Sequence, residues 1–289
     1  MLKLVRTPDG RKLAVESRGH PLGRPVFLLH GTPGSRHGPA PRSTVLYRMG
    51  VRLITFDRPG YGDSDRRPGR RVVHAAEDVA AIADALGIGE FAVVGRSGGA
   101  PHALSCAARL PGRTAKAVAL VPLAPRDADG LDWFDGMTED NVRAYTIAAG
   151  GPEAVTAAFE PRAQEIRADP RATVTAMHGM VPEPDREVLT DAAIRALLVR
   201  NFAEGLRCSA DGWVDDVLAL SSPWQFRPED IRTPVLLWHG EQDVFAPAQH
   251  TRWLAERIPG ARLEVPPDAA HFGALAVFTR ALRWAAACS

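Results

Sequence analysis

A serine with unusual neighbours is the first candidate for chemistry in this chain. The stretch F-A-V-V-G-R-S-G-G-A, residues 91–100, places Ser97 between an apolar run and a helical pattern of alanines and leucines. G-x-S-x-G at a strand-to-helix junction is typical of a nucleophile elbow, a sharp turn that lifts the hydroxyl above the edge of a sheet. Gly95 and Gly99 would let the strand and the helix approach closely. We therefore predict that Ser97 is a nucleophile rather than a polar turn residue.

His271 is the best-placed base for such a serine, whose hydroxyl alone is a weak nucleophile. It lies in P-P-D-A-A-H-F-G, between the last strand-like stretch at 261–265 and the final helical pattern. That loop is expected at the carboxyl edge of a parallel sheet, the same edge as the Ser97 turn. The other eight histidines lie in helical patterns, at strand ends before glycines, or without distinguishing context.

An acidic residue is also needed, to orient the histidine. The segment V-L-L-W-H-G-E-Q-D-V-F places Asp243 a few residues beyond a strand, with Glu241 close by. Asp127 and Asp129, which follow the preceding strand, are alternatives. The residues alone leave this choice open.

An oxyanion hole requires two backbone donors. Gly98 follows the nucleophile and can supply one N–H. The second is expected from H-G-T-P-G-S, the loop after the apolar run P-V-F-L-L. Pro33 has no N–H, so Thr32 is the predicted donor. His30 is expected to shape this loop, and the role of Arg96, packing or charge, stays open.

The elements that must position these residues are short apolar strands alternating with helices. Nearly continuous apolar strands indicate a parallel sheet covered on both faces, and an opening hairpin is predicted around P-D-G. The predicted strands are residues 2–6, 12–17, 25–30, 51–56, 91–95, 116–121, 235–238 and 261–265. The predicted helices include 72–86, 100–110, 141–149, 152–159, 192–202 and 278–287.

Composition excludes several classes of protein. With 35 basic and 34 acidic residues, the net charge is +1, which gives no strong field for nucleic acid or an anionic membrane. The three cysteines form neither a metal-ligand pattern nor a disulfide framework, and no apolar run reaches membrane-spanning length. We expect a cytoplasmic protein, a monomer or homodimer, that acts on a small molecule without metal or cofactor.

The stretch between the strands at 116–121 and 235–238 has helical patterns and many large apolar residues. We predict an α/β core in two parts, 1–125 and 228–289, with a helical cap at 126–227. Aromatic and methionine side chains there are candidates to line a substrate pocket, although each would also serve the cap's own core. The candidates are Trp133, Phe134, Met137, Trp213 and Trp224.

Several motifs in one order resemble the α/β-hydrolase superfamily. They are H-G-T-P-G at 30–34, D-R-P-G-Y-G-D-S at 57–64, G-R-S-G-G at 95–99, and the loops that carry Asp243 and His271. The resemblance covers nearly the whole core and implies the α/β-hydrolase fold, with the acid at Asp243 rather than Glu241. The order nucleophile, acid, histidine is the one this fold uses.

The segment at 57–64 resembles the loop that follows the fourth strand in capped members of the superfamily, such as proline iminopeptidases, epoxide hydrolases and C–C bond hydrolases. In those proteins it is architectural, so Asp57 and Asp63 receive no catalytic role. Epoxide hydrolases and haloalkane dehalogenases carry aspartate as the nucleophile, whereas Ser97 favours acyl chemistry. Proline iminopeptidases usually carry tryptophan where this chain has Gly98.

The resemblance implies a carboxylesterase-like serine hydrolase. Its substrate would be a small to medium, partly apolar ester, lactone, thioester or amide, cleaved through an acyl-enzyme. The alternatives are a proline iminopeptidase-like aminopeptidase, in which Glu204 or Asp215 would bind the amine, and a cofactor-free lyase or haloperoxidase-like protein. A ligand-binding protein on the same fold is a further alternative.

Overall fold

One eight-stranded sheet forms the centre of the protein; the structure, a computed structural model, describes residues 2–287. The order across the sheet is β1-β2-β4-β3-β5-β6-β7-β8. β2 pairs antiparallel with β1 and β4, and the pairings from β4 to β8 are parallel. The strands are Leu2–Arg6 (β1), Lys12–Gly19 (β2), Arg24–Leu29 (β3), Val51–Phe56 (β4), Phe91–Arg96 (β5), Thr114–Leu120 (β6), Val235–Trp238 (β7) and Arg262–Glu264 (β8). The predicted mostly parallel sheet with an opening hairpin is confirmed.

The helices of the described residues connect these strands. They are Ser43–Arg48 (α1), Ala75–Ala85 (α2), Gly99–Arg109 (α3), Glu139–Ile147 (α4), Gly151–Ala168 (α5), Pro170–Met177 (α6), Glu183–Thr190 (α7), Ala192–Gly205 (α8), Asp211–Leu220 (α9), Ala248–Arg257 (α10) and Gly273–Ala286 (α11). The helix predicted to start at residue 72 begins as a 3₁₀ turn, Val72–His74. The last helix begins at Gly273, five residues before the predicted start, because glycine and small alanines give its first turn little periodicity.

Both faces of the central strands, β3 to β7, are largely buried, which explains their continuous apolar sequences, whereas the edge strands β1 and β8 are mostly exposed. In β3, Phe27 and Leu29 belong to the apolar cluster that contains residues of α2 and α3, whereas Val26 and Leu28 belong to the cluster with α1 and α11. This alternation follows from the two-residue period of a strand. The rigid sheet brings the carboxyl ends of β3, β5, β7 and β8 to one edge, where the candidate site lies.

Helices α4 to α9, here called the helical insert, lie between β6 and β7. Val155, Phe159 and Val214 belong to an apolar cluster formed within the insert. A second cluster joins α6, α7 and α8 to Phe272, the residue after His271. The insert therefore packs directly on the loop that holds the candidate base, while its division from the core at 126 and 227 stays a prediction. No helix of residues 2–287 is long and apolar enough to cross a membrane.

A buried histidine ties helix α10 to the segment that follows β6. His250 Nδ1 accepts the N–H of Ala124 (3.1 Å), and His250 Nε2 donates to the carbonyl of Trp133 (3.1 Å). A proton added to Nδ1 would face the Ala124 N–H. Burial, and to a lesser extent the electrostatic effect of the nearby His239 ring, lowers the pKa of His250 to about 3. His102 is also buried, and burial together with the charge of Arg58 lowers its pKa to about 4.

These two histidines predict a loss of stability in mild acid. In the unfolded chain they take up protons near pH 6.5, while in the folded protein they stay neutral, so the unfolded state binds more protons as the pH falls below 6.5. Each should remove about 1.4 kcal/mol of unfolding free energy per pH unit until its folded pKa is reached. Urea unfolding at pH 7, 6 and 5 measures this slope.

His250→Leu removes one proton from the difference between the unfolded and folded states. The slope of unfolding free energy against pH should therefore fall by about 1.4 kcal/mol per pH unit, whatever the effect on stability at pH 7. His178→Leu, at an exposed position after α6, is the matched control and should leave the slope unchanged. Equal slopes for wild type and His250→Leu would contradict the assignment of a neutral His250.

Candidate active site

Ser97 occupies a strained turn between β5 and α3. Its φ is +52°, in the left-handed region that non-glycine residues rarely adopt. A Cβ at Gly95 would lie 2.3 Å from Gly99 O, and a Cβ at Gly99 would lie 2.2 Å from Leu29 O. These approaches leave no room for a side chain at either position. The turn directs the amino end of an 11-residue helix towards the serine, so the helix dipole favours negative charge there.

Asp243 and His271 form a direct pair at the same edge. His271 Nδ1 lies 2.7 Å from Asp243 Oδ2, and Asp243 Oδ1 accepts the N–H groups of Phe245 (2.8 Å) and Ala246 (3.0 Å). Burial would raise the pKa of the Asp243 carboxyl, but the electrostatic effect of the His271 ring and hydrogen bonds from His239 and His271 hold that pKa well below its ordinary value. The carboxylate is therefore ionised and fixed, able to hold the imidazole in one tautomer.

The His271 loop adjoins the Ser97 turn. The guanidinium carbon of Arg96, the residue before the serine, lies 5.3 Å from the ring centre of Phe272, the residue after the histidine. Phe245 and Phe272 also pack edge-on against His271, with ring centroids 5.2 and 5.7 Å away. The structure thus brings the two loops together and covers the histidine with aromatic side chains.

The two predicted oxyanion donors lie next to each other. A Cβ at Gly98 would come within 2.2 Å of Thr32 Oγ1. The N–H groups of Gly98 and Thr32 have no backbone acceptor among residues 2–287. Leu220 from α9 also approaches, with its Cδ1 3.4 Å from the same Cβ position. The side chains of Thr32 and Leu220 therefore lie next to Gly98, while the role of the two N–H groups as oxyanion donors stays a prediction.

A buried carboxylate that the sequence analysis did not single out fixes this loop. Asp216, on α9 and fully buried, accepts hydrogen bonds from Thr32 Oγ1, Tyr61 Oη (2.7 Å) and Arg58 Nη2 (2.7 Å), and pairs with Arg70 Nη2 (2.6 Å). Burial would raise its pKa, but the charges of Arg58 and Arg70 keep the pKa well below the ordinary value. The helical insert thereby holds the Thr32 side chain.

Arg58 extends the same network to the backbone of the loop. Its Nη2 donates to the carbonyls of His30 (3.1 Å) and Gly31 (3.2 Å). The His30 ring accepts the Arg58 N–H at Nε2 (3.1 Å) and lies 2.8 Å from Gly31 O at Nδ1. His30 therefore braces the loop, as expected for a structural residue.

His239 supports the acid from the end of β7. Its Nε2 lies 3.1 Å from Asp243 Oδ2 and also contacts the carbonyl of Ala246, while Nδ1 contacts Thr251 Oγ1. Its place at a strand end before a glycine, on the edge that carries the candidate triad, was the one sequence signal for this role.

The tryptophans predicted to line a pocket pack in apolar clusters. Trp133 lies edge-on against Tyr145 and His250, with Phe134 and Met137 packed on the same cluster. Trp224 is buried in that cluster too, and Trp213 packs on Phe159 inside the insert. Their role in a pocket stays a prediction.

Arginines neutralise the carboxylates considered for amine binding. Arg36 Nη2 lies 2.8 Å from Glu204 and 3.0 Å from Asp63, and Arg36 also pairs with Asp57. The carboxylate oxygens of Asp57, Asp63 and Glu204 lie within 4.8 Å of one another, a spacing that could hold a cation. In this structure the Arg36 guanidinium supplies the positive charge at that cluster. Asp215 pairs in the same way with Arg66 (2.9 Å).

Comparison with known proteins agrees with this architecture. A non-heme haloperoxidase from Rhodococcus erythropolis is 27% identical, over 93% of this chain and 93% of its own length. A 2-hydroxymuconate semialdehyde hydrolase from Pseudomonas putida is 27% identical, over 86% of this chain and 81% of its own. The solved structure of a thermophilic esterase from Thermogutta terrifontis superposes with a TM-score of 0.69 at 22% identity, covering 98% of this chain and 97% of that one.

The family model for the alpha/beta hydrolase fold matches residues 24–275. That range runs from the first residue of β3 to the start of α11 and includes every residue of the candidate site. This chain is a member of the α/β-hydrolase fold family.

Proposed function

We propose that this protein is a serine hydrolase that cleaves an ester, lactone, thioester or amide of a small to medium, partly apolar substrate. The observation that carries the proposal is the Asp243–His271 pair, whose facing atoms lie 2.7 Å apart, together with a serine held at φ +52° in an elbow at the same edge of the sheet. The names of the relatives, a hydrolase and a haloperoxidase, agree with an enzymatic function.

The reaction would run in two stages. His271 Nε2 takes the proton of Ser97 Oγ, and Oγ attacks the substrate carbonyl carbon. The N–H groups of Thr32 and Gly98 bind the resulting oxyanion, and His271 returns the proton to the leaving group as the acyl-enzyme forms. Water, deprotonated by the same imidazole, then attacks the acyl carbon and releases the acid and Ser97.

The aminopeptidase alternative loses support from the ion pairs described above. An amine-binding carboxylate needs free negative charge, whereas Glu204 and Asp215 already pair with Arg36 and Arg66. The haloperoxidase-like alternative requires the same serine, histidine and aspartate, and the Rhodococcus relative favours keeping it as the second candidate.

A fluorophosphonate probe with intact-mass readout tests the proposal. The wild type should gain one adduct, because only a serine activated by a base reacts readily. Ser97→Ala should gain none. Ser105→Ala is the matched control: its hydroxyl donates to His102 O inside α3, and the variant should keep the adduct.

An adduct that persists in Ser97→Ala would place the reactive side chain elsewhere. No adduct on a folded wild type would reject the activated serine altogether. Hydrolysis of a panel of esters, lactones and aminoacyl anilides then separates the substrate classes, and a bromide-dependent assay with hydrogen peroxide and acetate examines the second candidate.

A further inference from the structure

Arg96 is a buried cation without the partner that comparable arginines have. Four arginines of residues 2–287 are buried, and Arg36, Arg58 and Arg70 each form an ion pair with an aspartate within 4 Å. Arg96 is 8% exposed, and its Nε and Nη2 have no hydrogen-bond partner in the described part of the chain. An unpaired buried charge is costly, so an unpaired guanidinium at a candidate active site points to a ligand.

The guanidinium lies beside the nucleophile. A side chain at Gly31 would meet the Ser97 Cβ at 3.4 Å and Arg96 Nη1 at 3.7 Å, so both approach the same point above the oxyanion loop. The Phe272 ring supports the guanidinium from another side, with its centre 5.3 Å from Cζ. Burial lowers the pKa of Arg96 only to about 10, which leaves the side chain charged at neutral pH.

Acidic side chains act on Arg96 from a distance. Asp185, on α7, is fully buried; its Oδ1 accepts the Phe272 N–H (2.7 Å), and its Oδ2 has no partner among the described residues. Asp185 and Asp243 both stabilise the charge of Arg96, yet neither forms an ion pair with it within 4 Å. Their negative charge favours a singly charged ligand over a dianion at this position.

We infer that Arg96 binds a carboxylate of the substrate, so that the preferred substrates are esters, lactones or amides with a free carboxylate near the scissile carbonyl. A planar guanidinium donates two parallel hydrogen bonds to such a group. The inference rests on the proposed hydrolase function and narrows its substrate class.

The test compares two substrates that share the scissile ester and differ at the far end, where one has a free carboxylate and the other an uncharged methyl ester. They are the 4-nitrophenyl monoester of glutaric acid and its methyl ester, and the readout is the ratio of their kcat/KM values. The wild type should favour the acid. Arg96→Met should lower the ratio about tenfold to a hundredfold, the range of a charge-assisted hydrogen bond. Arg96→Lys keeps the charge without the planar guanidinium, so its ratio should lie between those of the wild type and Arg96→Met. Arg171→Met, at an exposed position on α6, is the control and should keep the wild-type ratio.

A binding measurement separates failure of the inference from failure of the function. Glutarate should raise the Tm of Ser97→Ala, and this rise should disappear in the double variant Ser97→Ala/Arg96→Met. If that double variant does not fold, Ser97→Ala/Arg96→Lys takes its place in the comparison, and its rise should be smaller than that of Ser97→Ala. If neither ester is cleaved and the folded wild type also gains no fluorophosphonate adduct, the proposed function fails, while the glutarate shift still tests Arg96.

Three results would overturn the inference. The first is a wild-type ratio of one or less. The second is an equal loss of both activities in Arg96→Met, which would assign the residue to packing. The third is stabilisation by inorganic phosphate that exceeds the effect of glutarate, which would assign the site to a different anion.

Discussion

Asp243→Asn should lower kcat for an activated ester about ten-thousand-fold while the protein stays folded. In the wild type, the N–H groups of Phe245 and Ala246 bind Oδ1, which directs Oδ2 at His271 Nδ1. An asparagine held in the same way turns its NH₂ group to that nitrogen, so Nδ1 can only accept. The imidazole proton then sits on Nε2, the atom that must take the Ser97 proton, and the base is lost.

Stopped-flow hydrolysis of 4-nitrophenyl acetate and the rate of fluorophosphonate labelling measure this effect. Glu241→Gln, which removes the same charge from the same loop, is the matched control. Glu241 is exposed and contacts Arg252, so its substitution should change kcat less than twofold. If Asp243→Asn kept more than a tenth of the activity, another acid would have to orient His271.

Asp216→Asn is expected to affect both stability and catalysis. It leaves two buried guanidinium groups, those of Arg58 and Arg70, without their carboxylate, a change that costs about 3–5 kcal/mol. Tm should therefore fall on the order of 10 °C. Because the Thr32 hydroxyl also loses its acceptor, the oxyanion loop should loosen, and kcat at 20 °C should fall roughly a hundredfold.

The adjacent residue on α9 provides the control for Asp216. Asp215→Asn removes one of the two aspartates that pair with Arg66. Arg66 keeps its ion pair with Asp211 (2.7 Å), and its side chain is 34% exposed, so water can solvate the guanidinium. Its Tm should fall by no more than a few degrees, with kcat within about threefold of wild type. Thermal melts and ester hydrolysis below each Tm measure both effects. Equal losses in the two variants would show that Asp216 has no special link to the oxyanion loop.

These two aspartates show why the sequence predicts one part of the site and not another. The elbow, the acid loop and the base loop are local, since each needs particular residue types at a strand end. Short motifs were therefore sufficient to propose Ser97 and His271, whereas the choice of Asp243 among nearby acids also needed the resemblance to α/β-hydrolases. Asp215 and Asp216 are adjacent and of the same type, so the sequence alone does not distinguish them, but consecutive residues of a helix point about 100° apart. One therefore reaches Arg66 at the margin, and the other reaches Arg58 in the interior.

The fold was more predictable than the insert. Buried parallel strands are continuous apolar runs, and they were identified close to their true ends. Helices α6 and α7 have eight residues each, little more than two turns, and few buried side chains, so neither is long enough to show a sustained apolar stripe. Helix α6 is instead marked by Asp169, whose side chain caps its first turn, and by Pro170. Helix α9 carries buried acids, which interrupt the apolar pattern that would reveal it.

The hydrogen bond from Thr32 to Asp216 has a consequence for protein engineering and for the divergence of this family. Inserts between β6 and β7 look like exchangeable modules, which could be transplanted between enzymes to change substrate preference. In this protein α9 supplies the carboxylate that holds the Thr32 side chain, so we expect a chimera with a foreign insert to lose the support of the proposed oxyanion loop while its substrate preference changes. A transplant should keep Asp216 together with Arg58, Tyr61 and Arg70, and these four positions should change in concert when lineages exchange this segment.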